Sequence, residues 1–138
     1  MTTFVDTSAW YAAADRADRS HDRATLRLRE FEGQLVTSDH VLIETWHLAS
    51  SRLGTDVAEN LVNSIRNGIA RVECATLADL EQAASIRDAY PDQQFSIVAR
   101  TSWSVMLRIG VHQAIAFDRD YSIYRFGRDR RQAFVVHT

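Results

Sequence analysis

Two kinds of apolar pattern alternate along this chain: short continuous runs and longer stripes at helical spacing. Thr3 to Val5 is a β-branched and aromatic run that ends on Asp6, Thr7 and Ser8, the pattern of a buried strand turning into a helix N-terminus. That helix continues from Trp10 to Ala14, and Asp15 to Arg19 is a charged turn. Ser20 opens a helix to about Phe31, with Ala24, Leu28 and Phe31 on one face, and Gly33 ends it. Gln34 to Thr37 is a strand, and Ser38 caps the next helix, Asp39 to Leu53. Its stripes, Leu42-Trp46-Ala49-Leu53 and Val41-Thr45-Leu48, cover two faces and predict a largely buried helix. Glu44 lies beside the second stripe, where a carboxylate is costly unless paired or bound to metal.

Gly54 closes that helix, and Thr55 caps another running with Val57, Leu61, Val62 and Ile65 to Gly68. Ile69 to Ala75 reads as a third strand, and Thr76 with Asp79 has the capping-box spacing for a helix to about Ala89. Pro91 sits in a polar turn, after which Ser96 caps a helix bearing Val98, Val105, Met106 and Ile109 that Gly110 ends. Gln113 to Phe117 is a strand running into Asp118. Arg119 to Arg131 is an irregular charged segment, and Phe134 to Val136 is a last strand. Short strands alternating with longer helices predict an α/β fold, one domain over residues 1–138 with a parallel sheet covered on both faces. Ligands of such sheets bind beyond the carboxyl ends of the strands, where Asp6 and Asp118 both lie.

Composition narrows the chemistry. No apolar run approaches the ~20 residues of a spanning helix and no basic-then-apolar leader is present, so the expectation is a soluble cytoplasmic protein with no membrane contact. The single cysteine, Cys74, forms no internal disulfide, and its apolar neighbours predict a small core residue. A net charge of −2 gives no bulk attraction to nucleic acid, so binding would need a local patch. All 16 basic residues are arginine. Without lysine there is no P-loop, and a phospho-acceptor receiver domain, which normally has a lysine near its aspartate, is also disfavoured.

Carboxylates gathered in one crevice repel unless they are protonated or share a cation, and an all-oxygen set suits Mg²⁺ or Mn²⁺ rather than zinc. Thr7 and Ser8 add hydroxyls at a helix N-terminus, where a water or phosphate oxygen is also held. Metal-assisted phosphodiester hydrolysis is the natural chemistry for that set. Asp6 taken alone remains as consistent with a helix cap as with a catalyst.

Four blocks then carry a resemblance: Phe4-Val5-Asp6-Thr7-Ser8-Ala9, Val41-Leu42-Ile43-Glu44-Thr45, Phe95-Ser96-Ile97-Val98 with Thr101-Ser102, and Ala116-Phe117-Asp118-Arg119-Asp120-Tyr121 followed by Phe126-Gly127. In order and spacing they resemble the PIN-domain nucleases, and within them the VapC-type toxins of bacterial VapBC toxin-antitoxin pairs. The resemblance implies a PIN-like three-layer α/β/α sandwich with a short, mainly parallel sheet. It also implies a homodimer, Mg²⁺-dependent endoribonuclease activity on a structured cellular RNA, and neutralisation by a VapB-type antitoxin inserted into the active-site groove.

Carried over by residue, Asp6, Glu44 and Asp118 match three of the family's four acids, with Thr7, Ser8, Ser96 and Asp120 in support. The fourth is absent: where the family has serine followed three residues later by aspartate, Ser96 is followed by Ala99. Arg100 and the intact Thr101-Ser102 fix that alignment, and Asp92 lies before the helix on a turn. The resemblance therefore implies a cleavage-impaired form, engineered or natural, and keeps a non-catalytic module that binds RNA or antitoxin as the alternative.

Other conspicuous residues have competing readings. Glu44 and His47 have the Glu-x-x-His spacing of di-iron bundles, but no second copy exists, so His47 is read as a surface or interface residue. Asp118-Arg119-Asp120 resembles the Asp-x-Asp of some sugar transferases, a pattern common enough that Asp120 is also read as a turn residue. Arg125, Arg128, Arg130 and Arg131 form the densest basic segment, which either grips RNA phosphates, with Tyr121, Tyr124 and Phe126 as stacking faces, or is a solvated loop. Trp10, Trp46 and Trp103 are expected in core or dimer packing.

Overall fold

The computed structural model describes residues 1–138. Five short strands, β1 (Thr3–Val5), β2 (Leu35–Ser38), β3 (Arg71–Glu73), β4 (Gln113–Ile115) and β5 (Val135–His137), form one sheet in the order β3-β2-β1-β4-β5, with every pairing parallel. Parallel neighbours need crossovers, and helices supply them. The helices are α1 (Thr7–Ala14), α2 (His21–Glu30), α3 (Asp39–Leu53), α4 (Thr55–Ser64), α5 (Leu77–Ala89), α6 (Ile97–Ile109) and the single turn α7 (Asp120–Ile123). The result is the expected three-layer α/β/α sandwich. No helix is long and apolar enough to cross a membrane.

The sheet grows outward from β1 in both directions, first to β2 and β3 and then, after α5 and α6, back across β1 to β4 and β5. That reversal makes the boundary of β1 and β4 a switch point, where the loops leave to opposite sides and open a crevice at the carboxyl ends. Register fixes which residues meet there: Phe4 lies opposite Ala114 and Val5 opposite Ile115, and the Asp6 N–H extends the ladder by donating to the Ile115 carbonyl at 3.1 Å. Phe4, Val5, Val36, Ala114 and Ile115 are fully buried, so a slip by one residue would turn the central strands' apolar side chains to the wrong face.

The punctuation read from the sequence places most helix ends. The Ser38 hydroxyl caps α3, the Ser96 hydroxyl caps α6, and Thr76 and Asp79 form a reciprocal capping box on α5. Gly110 ends α6 at φ 73°, a conformation that glycine adopts without strain.

Five expectations change. Thr55 does not cap α4; Gly54, at φ 95°, holds the cap position and Thr55 is already helical. The helix running to Gly68 stops at Ser64 and finishes in a wide turn, Ile65–Ile69, because Asn67 and Gly68 leave helical geometry. The third strand shrinks from seven expected residues to Arg71–Glu73, on a sheet edge with β2 as its sole neighbour. Cys74, just beyond that edge strand, is exposed rather than in the core. α3 buries Val41, Leu42, Thr45 and Ala49, but Ile43 is 60% exposed and Trp46 only half-buried, so the helix is less enclosed than its two stripes predict.

Candidate active site

Asp6 is the residue on which the crevice is built. It leaves β1 in an extended conformation and is the N-cap of α1, so capping and site-building fall on one side chain. Its Oδ2 accepts from the Ser8 N–H at 3.1 Å and the Ser8 hydroxyl at 2.6 Å, and its Oδ1 accepts from the Tyr121 hydroxyl at 3.0 Å. The residue is 5% exposed. Burial pushes its carboxyl above the ordinary range, the Ser8 and Tyr121 bonds pull it back down, and the nearby Asp118 charge pushes it up again; the net direction is up.

Ser8 joins the two halves of the crevice. Besides donating to Asp6, its hydroxyl accepts from the Phe117 N–H at 2.9 Å, on the segment that leaves β4. The hydroxyl expected to hold a water or phosphate oxygen is thus committed within the protein. Thr7 differs: it is buried and its hydroxyl has no partner.

Asp118 follows β4 on the same side. Its Oδ1 accepts from the Asp120 N–H at 2.9 Å, a local turn that starts α7. Glu44, on the second turn of α3, is half-buried. Ser96 and Ala99 begin α6, the Ala99 N–H donating to the Ser96 hydroxyl at 3.0 Å. Ala99 is 2% exposed and makes only half of a capping box, since a methyl group cannot return a bond to the Ser96 backbone.

These elements meet in one cleft of about 210 Å³, lined by Asp6, Thr7 and Ser8 from the β1 end, Glu44 and Leu48 from α3, Ser96 and Ala99 from α6, and Asp118 beyond β4. All four motif positions, the three acids and Ala99, therefore share one wall-to-wall space. Larger hollows exist, about 640 Å³ beside Arg87–Phe95 and about 350 Å³ between α5 and the C-terminal segment, but the first has a single carboxylate, Asp88, and the second has none. Chemistry, not size, marks the smaller cleft.

No three carboxylate, imidazole or thiolate groups converge into a ready-made metal cage. The cleft offers oxygen donors and the unpartnered Thr7 hydroxyl, with no nitrogen or sulfur ligand. The donor set fits a hard divalent cation.

Several expected contributors lie elsewhere. Asp120 opens α7 and does not line the cleft, and its carboxyl is pushed up by burial and by Asp118. Asp92 is exposed and also outside the cleft. Tyr121, Tyr124 and Phe126 are buried and offer no stacking face: Trp103 meets Tyr121 edge-on at 5.6 Å and stacks on Tyr124 at 4.5 Å. Arg125 spends its guanidinium on the carbonyls of Ser122, Ile123 and Tyr124, closing the end of α7. Arg128, Arg130 and Arg131 remain exposed.

Sequence reasoning misses Tyr121 as the partner of Asp6. The available signal is its position three residues beyond Asp118, one helical turn after an acid that follows the strand beside β1. It also misses Leu48, an apolar wall facing the acids. His40 escapes it as well: half-buried against α6, its Nε2 lies 3.1 Å from the Ser102 hydroxyl, and desolvation pushes the imidazole down.

Residues 3–127 match the PIN domain family. The 23S rRNA-specific endonuclease VapC20 of Mycobacterium tuberculosis is 37% identical over 124 residues, covering 89% of this chain and 94% of its own. Ribonuclease VapC26 of the same species is 27% identical over 115 residues, covering 83% and 85%. The crystal structure of M. tuberculosis VapC20, described as a sarcin-ricin loop cleaving toxin, matches with a TM-score of 0.83 at 35% identity, over 88% of this chain and 94% of that one. A DNA-bound VapBC complex from Salmonella typhimurium has a chain that shares the fold, with a TM-score of 0.68 at 11% identity over 99% and 97% of the two chains. With its four motif positions gathered at the β1/β4 switch point, the chain belongs to the PIN-domain family and is similar within it to the VapC endonucleases.

Proposed function

We propose that this chain is a metal-dependent endoribonuclease toxin of the VapC type, that it acts on a structured ribosomal RNA, and that a VapB-type antitoxin neutralises it. The observation that carries this reading is the single cleft that holds Asp6, Glu44, Asp118 and position 99 together. The ribosomal substrate is supported by the name of the 37% identical VapC20, and the antitoxin by the VapBC complex of the same fold. Mg²⁺, or Mn²⁺ in its place, would be held by Asp6, Glu44 and Asp118. When bound, the ion lowers the pKa of an attacking water and neutralises charge on the scissile phosphate. The chain's own part is to fix the Asp6 carboxylate, to leave the Thr7 hydroxyl free at the helix N-terminus, and to wall the space with Leu48.

The chain is cleavage-impaired in this reading, because Ala99 puts a methyl group where the family has a carboxylate. The same methyl favours the second reading, a PIN-fold module that binds RNA or antitoxin without cutting. The test compares the chain with Ala99→Asp on an RNA containing the sarcin-ricin loop, in Mg²⁺ or Mn²⁺ and in chelator. A metal-dependent gain of about 10- to 100-fold or more in Ala99→Asp supports the proposal. Equal cutting by both forms overturns the impairment, and no cutting by either with any metal leaves the binding module.

A homodimer is also proposed. Its support is an apolar groove of about 260 Å³ between α3, α5 and α6, around which Ile43, Leu80 and Ile97 are exposed. Light scattering on the eluting protein measures its mass directly.

A further inference from the structure

Tyr121 is fully buried, yet its hydroxyl reaches a carboxylate that faces the cleft. A buried tyrosine needs some partner for its O–H, so the bond alone is unremarkable. The choice of partner and of oxygen is informative. A carboxylate has about four acceptor positions, two on each oxygen. The Ser8 N–H and O–H take two on Oδ2, and Tyr121 takes one on Oδ1. One position on Oδ1 is left.

The phenol is also held more rigidly than hydrogen bonding requires. Its ring meets the fully buried Trp103 edge-on at 5.6 Å, and its backbone N–H donates to the Asp118 carbonyl at 3.2 Å. The turn that carries Asp118 into the cleft therefore also aims the hydroxyl at Asp6.

We infer that Tyr121 is a positioning residue for Asp6: its hydroxyl stops the carboxylate from turning about its last bond, so that the acceptor position left on Oδ1 is the one Asp6 would offer a divalent cation. This rests on the metal-site reading above and adds which oxygen is left for the ion and which side chain enforces that. Ligand-orienting partners of this kind are typically worth about 10- to 100-fold in metal affinity.

The experiment measures Mn²⁺ affinity by electron paramagnetic resonance of the free ion, on the full chain and its Ala99→Asp form, each with and without Tyr121→Phe or Asp6→Asn. Near-ultraviolet circular dichroism checks the fold. The expected result is that Asp6→Asn abolishes binding while Tyr121→Phe weakens it about 10- to 100-fold with native dichroism. Unchanged affinity in a folded Tyr121→Phe, with Asp6→Asn still abolishing binding, overturns the positioning role and leaves the metal site standing. Binding indifferent to Asp6→Asn removes the metal site and this inference together. Should Tyr121→Phe fail to fold, the tyrosine difference absorption on adding Mg²⁺ decides: the inference requires a signal that Asp6→Asn loses, and the absence of any signal overturns it.

Discussion

Thr7 and Ser8 are adjacent hydroxyls at one helix start, and opposite outcomes are expected on removing them. Ser8 donates to Asp6 Oδ2 at 2.6 Å and accepts from the Phe117 N–H at 2.9 Å. Ser8→Ala deletes a bond to a charged group, worth about 1.5–3 kcal/mol, and strands a half-buried N–H at a further cost of about 1 kcal/mol. The backbone N–H of residue 8 still donates to Asp6, so the expected loss is about 2.5–4 kcal/mol, a fall of roughly 10 °C in melting temperature for a chain of this size. The Thr7 hydroxyl is buried without a partner. Thr7→Val removes that orphan at nearly constant shape, so stability should hold or rise by up to about 1 kcal/mol. Urea unfolding followed by tryptophan fluorescence, in chelator, measures both. Equal shifts in the two variants, or a Ser8→Ala loss below about 1 kcal/mol, would refute the assignment of Ser8 as the tie between the two halves of the crevice.

Three more outcomes follow from the same structure. Arg108 bonds Asp79 through Nε and Nη2 and, although burial pushes the Asp79 carboxyl up, the Arg108 and Thr76 bonds outweigh it and hold the acid below its ordinary 3.8. A depressed acid contributes stability above that value and loses it as pH falls through its folded value, so Asp79→Asn should cost about 2–3 kcal/mol at neutral pH, the gap closing in urea melts below about pH 4. Replacing Arg128, Arg130 and Arg131 with Gln should flatten the salt dependence of RNA binding by about 0.7–0.9 for each phosphate no longer neutralised, whereas Arg125→Gln should lower stability and leave the slope alone. The exposed Cys74 thiol should react with a disulfide reagent in the native state as fast as in urea, which a core cysteine would not do.

Local chemistry is legible in the sequence because it acts over a few residues. Ser38, Ser96 and the Thr76/Asp79 pair satisfy helix N–H groups within one turn of themselves, and their helices start where those residues say. The cleft is legible for a different reason: acids that follow neighbouring parallel strands must share one end of the sheet. What the sequence hides is anything set by distant packing. Val72 and Ala75 make Cys74 look interior, but β3 is an edge strand of three residues, and the chain leaves it into solvent. Tyr121 and Tyr124 look like surface aromatics in an arginine-rich loop; α7 turns them inward onto Trp103, an arrangement no local pattern encodes. The bond from Tyr121 to Asp6 spans 115 residues, so only the folded sheet brings it about.

The cleft's acids are not equally provided for, and the inequality separates architecture from chemistry. Asp6 is buried and carries three donated hydrogen bonds, Asp118 carries one from the Asp120 N–H, and Glu44 stands half-buried on its helix. Asp6 is pushed up first by burial, with the Asp118 charge a smaller push in the same direction. Its three donors answer it with groups fixed in the fold. Position 99 stands outside this arrangement. Its backbone is capped by Ser96 at 3.0 Å whatever side chain it carries, and its methyl adds no charge to the cluster. An acid there would add a fourth carboxylate to the cleft, raising the demand for a cation, and would stand where it could return the second bond of the capping box to the Ser96 backbone.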